Sequence, residues 1–150
     1  MLGFFFTVPQ NHCCVIQRLG KFSRIATGGL KVKLPVIDTI RHMTEWGGVA
    51  TKEDGKFIEL SEQQTDTPRR IAHTKDNVEL KADASIYWRI TDPKRAVYEV
   101  DVLPQSVSDS ALNALRSCIG QLQLDEILSE RQLLNDKIVA ALSDIAQKWG

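Results

Sequence analysis

The chain has 150 residues, with 19 basic and 19 acidic side chains, so its formal net charge is zero. Hydrophobic residues make up 43% and charged residues 25%, which describes one globular domain with a modest core and excludes a collagenous, low-complexity or wholly disordered chain. A neutral total gives no support to a dedicated nucleic-acid binder. Three scattered cysteines describe no disulfide scaffold, so a reducing compartment is expected.

Charge is unevenly placed. Residues 1–37 carry Arg18, Lys21, Arg24, Lys31 and Lys33 and no acid; Asp38 is the first carboxylate. The rest of the chain holds 14 bases against 19 acids. A local basic surface gains Coulomb energy beside an anionic membrane, and the competing reading is a solvated sheet face. Residues 1–9 are apolar, but a bilayer span needs about 20 residues. No basic stretch precedes them, as a signal peptide requires. They fit the end of a membrane segment, a first strand or a disordered stub.

Residues 12–18, rich in β-branched and small apolar side chains, predict a strand. Leu19-Gly20 predicts a turn into a second strand. After Gly28-Gly29, residues 30–34 alternate strictly, with Leu30, Val32 and Leu34 on one face and Lys31 and Lys33 on the other. Pro35 ends the run, and 36–46 reads as extended. The middle is the clearest β region. From Val78 to Ile90 apolar and polar residues alternate over thirteen positions, which predicts one long strand. Asp92-Pro93 closes it and starts a short helix through Tyr98.

The period changes after Pro104. Ser106 is placed to cap a helix over 106–119, ended by Gly120, with Val107, Ala111, Leu115 and Cys118 as its apolar stripe. A helical turn at 124–128 follows. Ser129 is placed to cap a helix over 130–148, whose residues Leu134, Ile138, Leu142, Ile145 and Trp149 share one face. Strands first and helices last give an α+β domain, a mostly antiparallel sheet packed by C-terminal helices.

The sequence offers little for catalysis. It has no Gly-rich phosphate loop, no zinc-type cysteine pairs and no His-Glu-x-x-His run. Adjacent Cys13 and Cys14 point to opposite faces of a strand, which predicts one buried and one exposed thiol; lipidation of either beside a membrane is the alternative. A Cys118–His73 couple has nothing to position it, and Cys118 reads as core. Trp88 and Trp149 lie on apolar faces and also read as core. No catalytic, cofactor or metal residues are assigned.

These residues together carry a resemblance. Val15 to Phe22, followed by Gly29-Leu30, Leu34-Pro35 and Ile37-Asp38, resembles the opening of the stomatin and prohibitin (SPFH, band 7) domain. Thr74 to Val78 resembles its central turn, and Ile90 to Pro93 with Ala96-Val97-Tyr98 its next element. Leu115-Arg116, Ile119-Gly120, Leu124 to Glu126, Ser129 to Arg131, Asn135, Ile138 and Trp149-Gly150 resemble its helical half, in the stomatin-like branch. The resemblance implies a residual membrane-proximal segment at 1–11 and the domain itself at 12–150. It implies an anchor upstream and a further strand and coiled coil downstream of the piece seen here. It also implies a non-enzymatic, cofactor-free, membrane-associated scaffold that forms homo-oligomeric rings or cages. Such a scaffold organises membrane microdomains and regulates a membrane protease or channel, with the domain on the cytoplasmic side.

By position in the resemblance, Arg18 to Phe22 and Leu30 to Pro35 would lie at the membrane-proximal surface, and the bases of the acid-free run, Arg18, Lys21, Arg24, Lys31 and Lys33, would help hold the domain against anionic lipid. Trp149 is the candidate oligomer contact. Residues 47–67 depart from the family pattern and look inserted, which predicts a protruding hairpin or loop. The alternatives are a soluble adaptor binding a peptide along a sheet edge, and a cysteine/histidine hydrolase.

Overall fold

The structure, a computed structural model, describes residues 3–47, 50–53 and 55–150. It divides into two compact units. The first comprises residues 1–63, 89–104 and 150, and the second comprises 64–88 and 105–149.

The first unit is built on a long antiparallel ribbon. β1 (Phe5–Arg18) pairs from end to end with β2 (Lys21–Val32), from Phe5 opposite Val32 to Arg18 opposite Lys21. The turn between them is Leu19-Gly20, with both residues at positive φ (50° and 82°), the geometry whose twist suits a two-residue hairpin. A bulge between Val8 and Cys13 bends β1. β3 (Asp38–Ile40) pairs with the end of β1, and β5 (Phe57–Glu59) pairs with its middle through His12 and Cys13. β4 (Thr51–Lys52) completes the sheet beside β5. Val8, Cys14, Ile16, Ala26 and Phe57 form the core, with Phe6 and Ile40 against it. α1 (Pro93–Tyr98) starts as expected, with the Asp92 carboxylate accepting from the Arg95 backbone N–H.

The segment 47–67, expected as a protruding hairpin or loop, contains a hairpin whose strands join this sheet. β4 and β5 lie inside it, and Ala50, Phe57 and Ile58 are buried with neighbouring Trp46. The polar, Gly-containing connection masks a Phe-Ile pair whose burial drives the hairpin into the sheet. Gly48, Val49 and Asp54 of that segment lie outside the described residues.

In the second unit the expected thirteen-residue strand is two strands. β8 (Glu79–Ala82) pairs with β7 (Arg70–His73), whereas β9 (Ser85–Trp88) pairs with β6 (Gln63–Asp66). The break faces Thr67-Pro68, where proline has no N–H to offer a ladder. Thr67 instead holds Ala84 twice. Its N–H donates to the Ala84 carbonyl, and its hydroxyl accepts from the Ala84 N–H, both at 2.8 Å. The period of two survives the break: Leu80, Ala82, Ala84, Ile86 and Trp88 stay half-buried while the odd positions are exposed.

α2 (Leu103–Gln121) begins three residues before Ser106, because Pro104 is tolerated in a first helical turn, and it runs through Gly120. α3 (Leu124–Ser129) is closed by a capping box between Gln123 and Glu126. Ser129 donates to the Asp125 carbonyl at 2.6 Å, so it ends α3 and does not cap α4 (Arg131–Trp149). Ala72, Leu115, Ile119, Leu122 and Ile127 form the core, with Leu134 and Ile138 packed against it. The α+β class is as expected.

Candidate functional site

Among the described residues nothing resembling a catalytic constellation assembles. Among the described residues no group of three His, Cys, Asp or Glu side chains could hold a metal ion. Cys118 is buried in the α2 stripe and His73 is exposed on β7, so the nucleophilic couple has no support. The informative surface lies on the first unit.

Its charge is built around Asp38. The Asp38 side chain is 1% exposed and receives Arg18 Nε at 2.9 Å, Arg18 Nη2 at 3.3 Å and the Leu34 N–H at 3.1 Å. The Arg18 guanidinium holds the Asp38 carboxyl below the ordinary carboxylate range, aided by the Leu34 amide, and Arg18 is raised in return. Arg18 is therefore paired with Asp38 while its side chain stays 47% exposed. The Arg24 guanidinium donates to the Val32 carbonyl, which leaves its charge uncompensated. Lys21, Arg24, Lys31 and Lys33 remain as surface cations, and the first carboxylate in the chain is already neutralised by Arg18.

The apolar side chains here are the ones that pattern reading missed. Leu30 and Val32 share a ribbon face with Thr7 and Phe5, and that face is open: Phe5 is 65% exposed and Leu30 69%. Lys31 and Lys33 are half-buried. Lys31 lies opposite Phe6 on the core-facing side, where its methylene stem covers apolar surface while the ammonium reaches water. The alternation was legible, but it is inverted relative to an ordinary core strand. Further exposed apolar residues continue this edge through backbone hydrogen bonds. The Lys33 N–H donates to the Phe4 carbonyl at 2.9 Å, Asp38 N–H to Leu34 at 2.8 Å, and Leu19 N–H to Ile37 at 3.0 Å. Phe4, Leu34, Val36 and Leu19 all stand exposed along that path, Val36 at 84% and Leu19 at 79%.

Cys13 and Cys14 are both fully buried, which corrects the expectation of one exposed thiol. Cys14 belongs to the core cluster on one face of β1, and Cys13, paired in the sheet with Ile58 of β5, is equally enclosed. Burial pushes the Cys13 thiol up to about 12, with Cys14 adding to it. Burial also pushes Cys14 up to about 11, against the pull of Lys56, Arg24 and Lys33. Lipidation of either would require β1 to open.

A second surface lies within the second unit. Trp149 lines an apolar groove of about 270 Å³ with Trp88, Val139, Leu142, Ile145 and Tyr87. Trp88 and Trp149 are half-buried, so neither is the core residue expected; Trp88 Nε1 donates to the Thr65 hydroxyl at 2.9 Å. None of the α4 side chains is fully buried.

Residues 6–150 match the SPFH domain / Band 7 family. The chain belongs to that family. It is 37% identical over 144 residues to stomatin-like protein stl-1 of Caenorhabditis elegans, covering 95% of this chain and 40% of that protein. It is equally similar to the mitochondrial stomatin-like protein 2 of Rattus norvegicus, at 37% over 143 residues, 95% of this chain and 36% of that one. The human counterpart is 36% identical over the same span. The chain thus spans about two fifths of the relatives it matches. The stomatin-like SPFH resemblance read from the motifs holds. Among the described residues no helix is long and apolar enough to cross a bilayer.

Proposed function

We propose that this SPFH domain is a non-enzymatic part of a membrane-associated oligomeric scaffold, held against anionic lipid by its N-terminal basic face. The observation that carries the reading is the set Lys21, Arg24, Lys31 and Lys33 in a stretch with no acid before Asp38, and Asp38 itself paired with Arg18. Each such cation near an anionic leaflet is worth about 1 kcal/mol and is screened by salt. Membrane protein partners, a protease or channel among them, and the ordering of microdomains belong to the same reading and draw their support from family membership. Trp149 is the proposed contact between copies, because α4 has a half-covered apolar stripe that ends at an open groove.

Vesicle flotation tests the reading. The chain should float with phosphatidylserine-containing vesicles at low salt and much less with pure phosphatidylcholine. A variant with Lys21, Arg24, Lys31 and Lys33 changed to Glu should stay in the soluble fraction. Equal flotation of both proteins would refute the role of the basic face.

A further inference from the structure

We propose that the surface formed by Gln17, Phe22, Arg41, Lys94 and Tyr98 on the first unit docks an acidic peptide segment of a partner protein, one whose carboxylates flank apolar side chains. The inference rests on the partner-binding part of the reading above and stands whether or not the basic face meets lipid.

Three observations carry it. The first is that two cations are held on aromatic rings. Arg41 Cζ lies 5.4 Å from the centroid of the Tyr98 ring, and Lys94 Nζ lies 4.8 Å from that of Phe22. The two rings meet edge to face with centroids 6.0 Å apart, so they join the cations into one patch. A ring attracts a cation through its quadrupole and leaves N–H donors for another partner.

The second is the lack of an acid to meet those donors. Among the described residues neither Arg41 nor Lys94 is in an ion pair. Asp92, two residues before Lys94, is taken by the Arg95 side chain at 3.6 Å and by the Arg95 backbone N–H. Arg41, Lys94 and Tyr98 are all exposed, so the charges are open to a ligand.

The third is Tyr98. Gln17 Nε2 donates to the Tyr98 hydroxyl oxygen at 2.8 Å, which leaves the phenolic hydrogen to donate outward. A guanidinium, an ammonium and a phenol thus present donors side by side, and an acceptor-only carboxylate satisfies them. Phe22 is half-buried and Tyr98 is 40% exposed, so apolar ring surface lies beside the charge. A peptide with carboxylates flanking an apolar side chain supplies both chemistries together. An anionic headgroup layer offers charge alone at first contact, and a second copy meeting this patch across a two-fold axis would set like charges together.

The test is the fluorescence anisotropy of a fluorescein-labelled decapeptide of alternating Glu and Leu, titrated with the full chain. The wild type should bind it, and its affinity for the same peptide with Gln in place of Glu should be lower by about tenfold or more. Arg41→Gln combined with Lys94→Gln changes exposed side chains, so melting should be retained, while affinity for the Glu peptide falls by a similar factor. Lys75→Gln combined with Lys81→Gln makes the same change of net charge on exposed positions of the second unit and should bind as the wild type does. Tyr98→Phe should bind more weakly than the wild type. No binding by the wild type, equal affinity for the two peptides, or equal loss in the two double variants would overturn the proposal. Vesicle flotation and sedimentation separate the other occupants: the Arg41 and Lys94 double variant should float and sediment as the wild type does. Loss of flotation in that variant would assign the cations to lipid, and a shift to smaller species would assign them to a second copy; either overturns peptide docking. Peptide binding by a wild type that does not float would sustain this inference and refute the basic-face reading.

Discussion

Gly55 shows how one residue can fix a segment. It sits at φ 84°, and a Cβ there would lie 2.4 Å from the Met43 carbonyl carbon, while its own carbonyl accepts from Met43 N–H. Gly55→Ala should destabilise the domain by about 2 kcal/mol or more, read as a lower urea midpoint. Asp38 makes a pH-dependent contribution. Its folded pKa is depressed, so the stability it adds is complete above the unfolded value of about 4 and is lost as pH falls through the folded value. The stability gap between wild type and Asp38→Asn should be flat from neutral pH down to about 5 and close below about 4. The buried thiols act at the other end of the scale. Cys13 and Cys14 have raised pKa values, so their contribution is complete below the unfolded value of about 8.5 and falls as pH rises toward 11 and 12. Both should resist iodoacetamide in the native state and react at the rate of unfolding. Fast labelling of either would contradict their burial. The basic residues were legible as a group from the absence of acid. That Arg18 is paired was not, because Asp38 is 20 residues away and nothing local announces the contact. Arg18→Gln should therefore weaken vesicle binding by leaving the Asp38 charge unpaired, and Lys33→Gln should lower the salt slope by removing a cation.

Element types followed from period, and boundaries and partners did not. From Leu80 to Ile90 alternation correctly separated an inward face from an exposed one, whereas Val78, placed on that inward face, is exposed. Alternation could not show that two successive strands share it, because the break is imposed by Thr67-Pro68 across the sheet. The stretch at 51–59 reads as a hairpin or surface loop, and its place in the sheet was hidden for a related reason: nothing local shows that Phe57 and Ile58 meet β1. Helix α4 was placed within one residue at each end, and its stripe divides as its surroundings dictate. Leu134 and Ile138 pack on the core of the second unit, whereas Trp149 lines the groove. Because neither core-facing residue is fully buried, Leu134→Ala or Ile138→Ala should cost about 1–2 kcal/mol, below the range for complete burial. Trp149→Ala should cost the monomer less and shift sedimentation equilibrium toward smaller species. A Trp149 variant that sedimented like the wild type but melted much lower would make it a core residue.

At the scale of the whole chain, the sequence carried the family and the class of fold, and it left unsettled which face of the ribbon meets water. Period two sorts residues into two faces without saying which is inside; that is decided by long-range packing, here of Phe57 and Ile40 against Phe6, Val8, Cys14 and Ile16. The outward placement of Leu30 and Val32 follows from that packing, and with it the apolar edge. Leu19-Gly20 was the one local sign, a leucine where a hairpin turn asks for Asn or Gly. The central claim is the proposal that the basic N-terminal stretch of the first unit meets the membrane. Hydrogen exchange of the intact chain, with and without phosphatidylserine-containing vesicles, tests it most directly. Vesicles should slow exchange in residues 3–7, 18–21 and 30–37 and leave 131–149 unchanged. Slowing confined to 131–149, or no change in the three N-terminal stretches while the chain is bound, would contradict it.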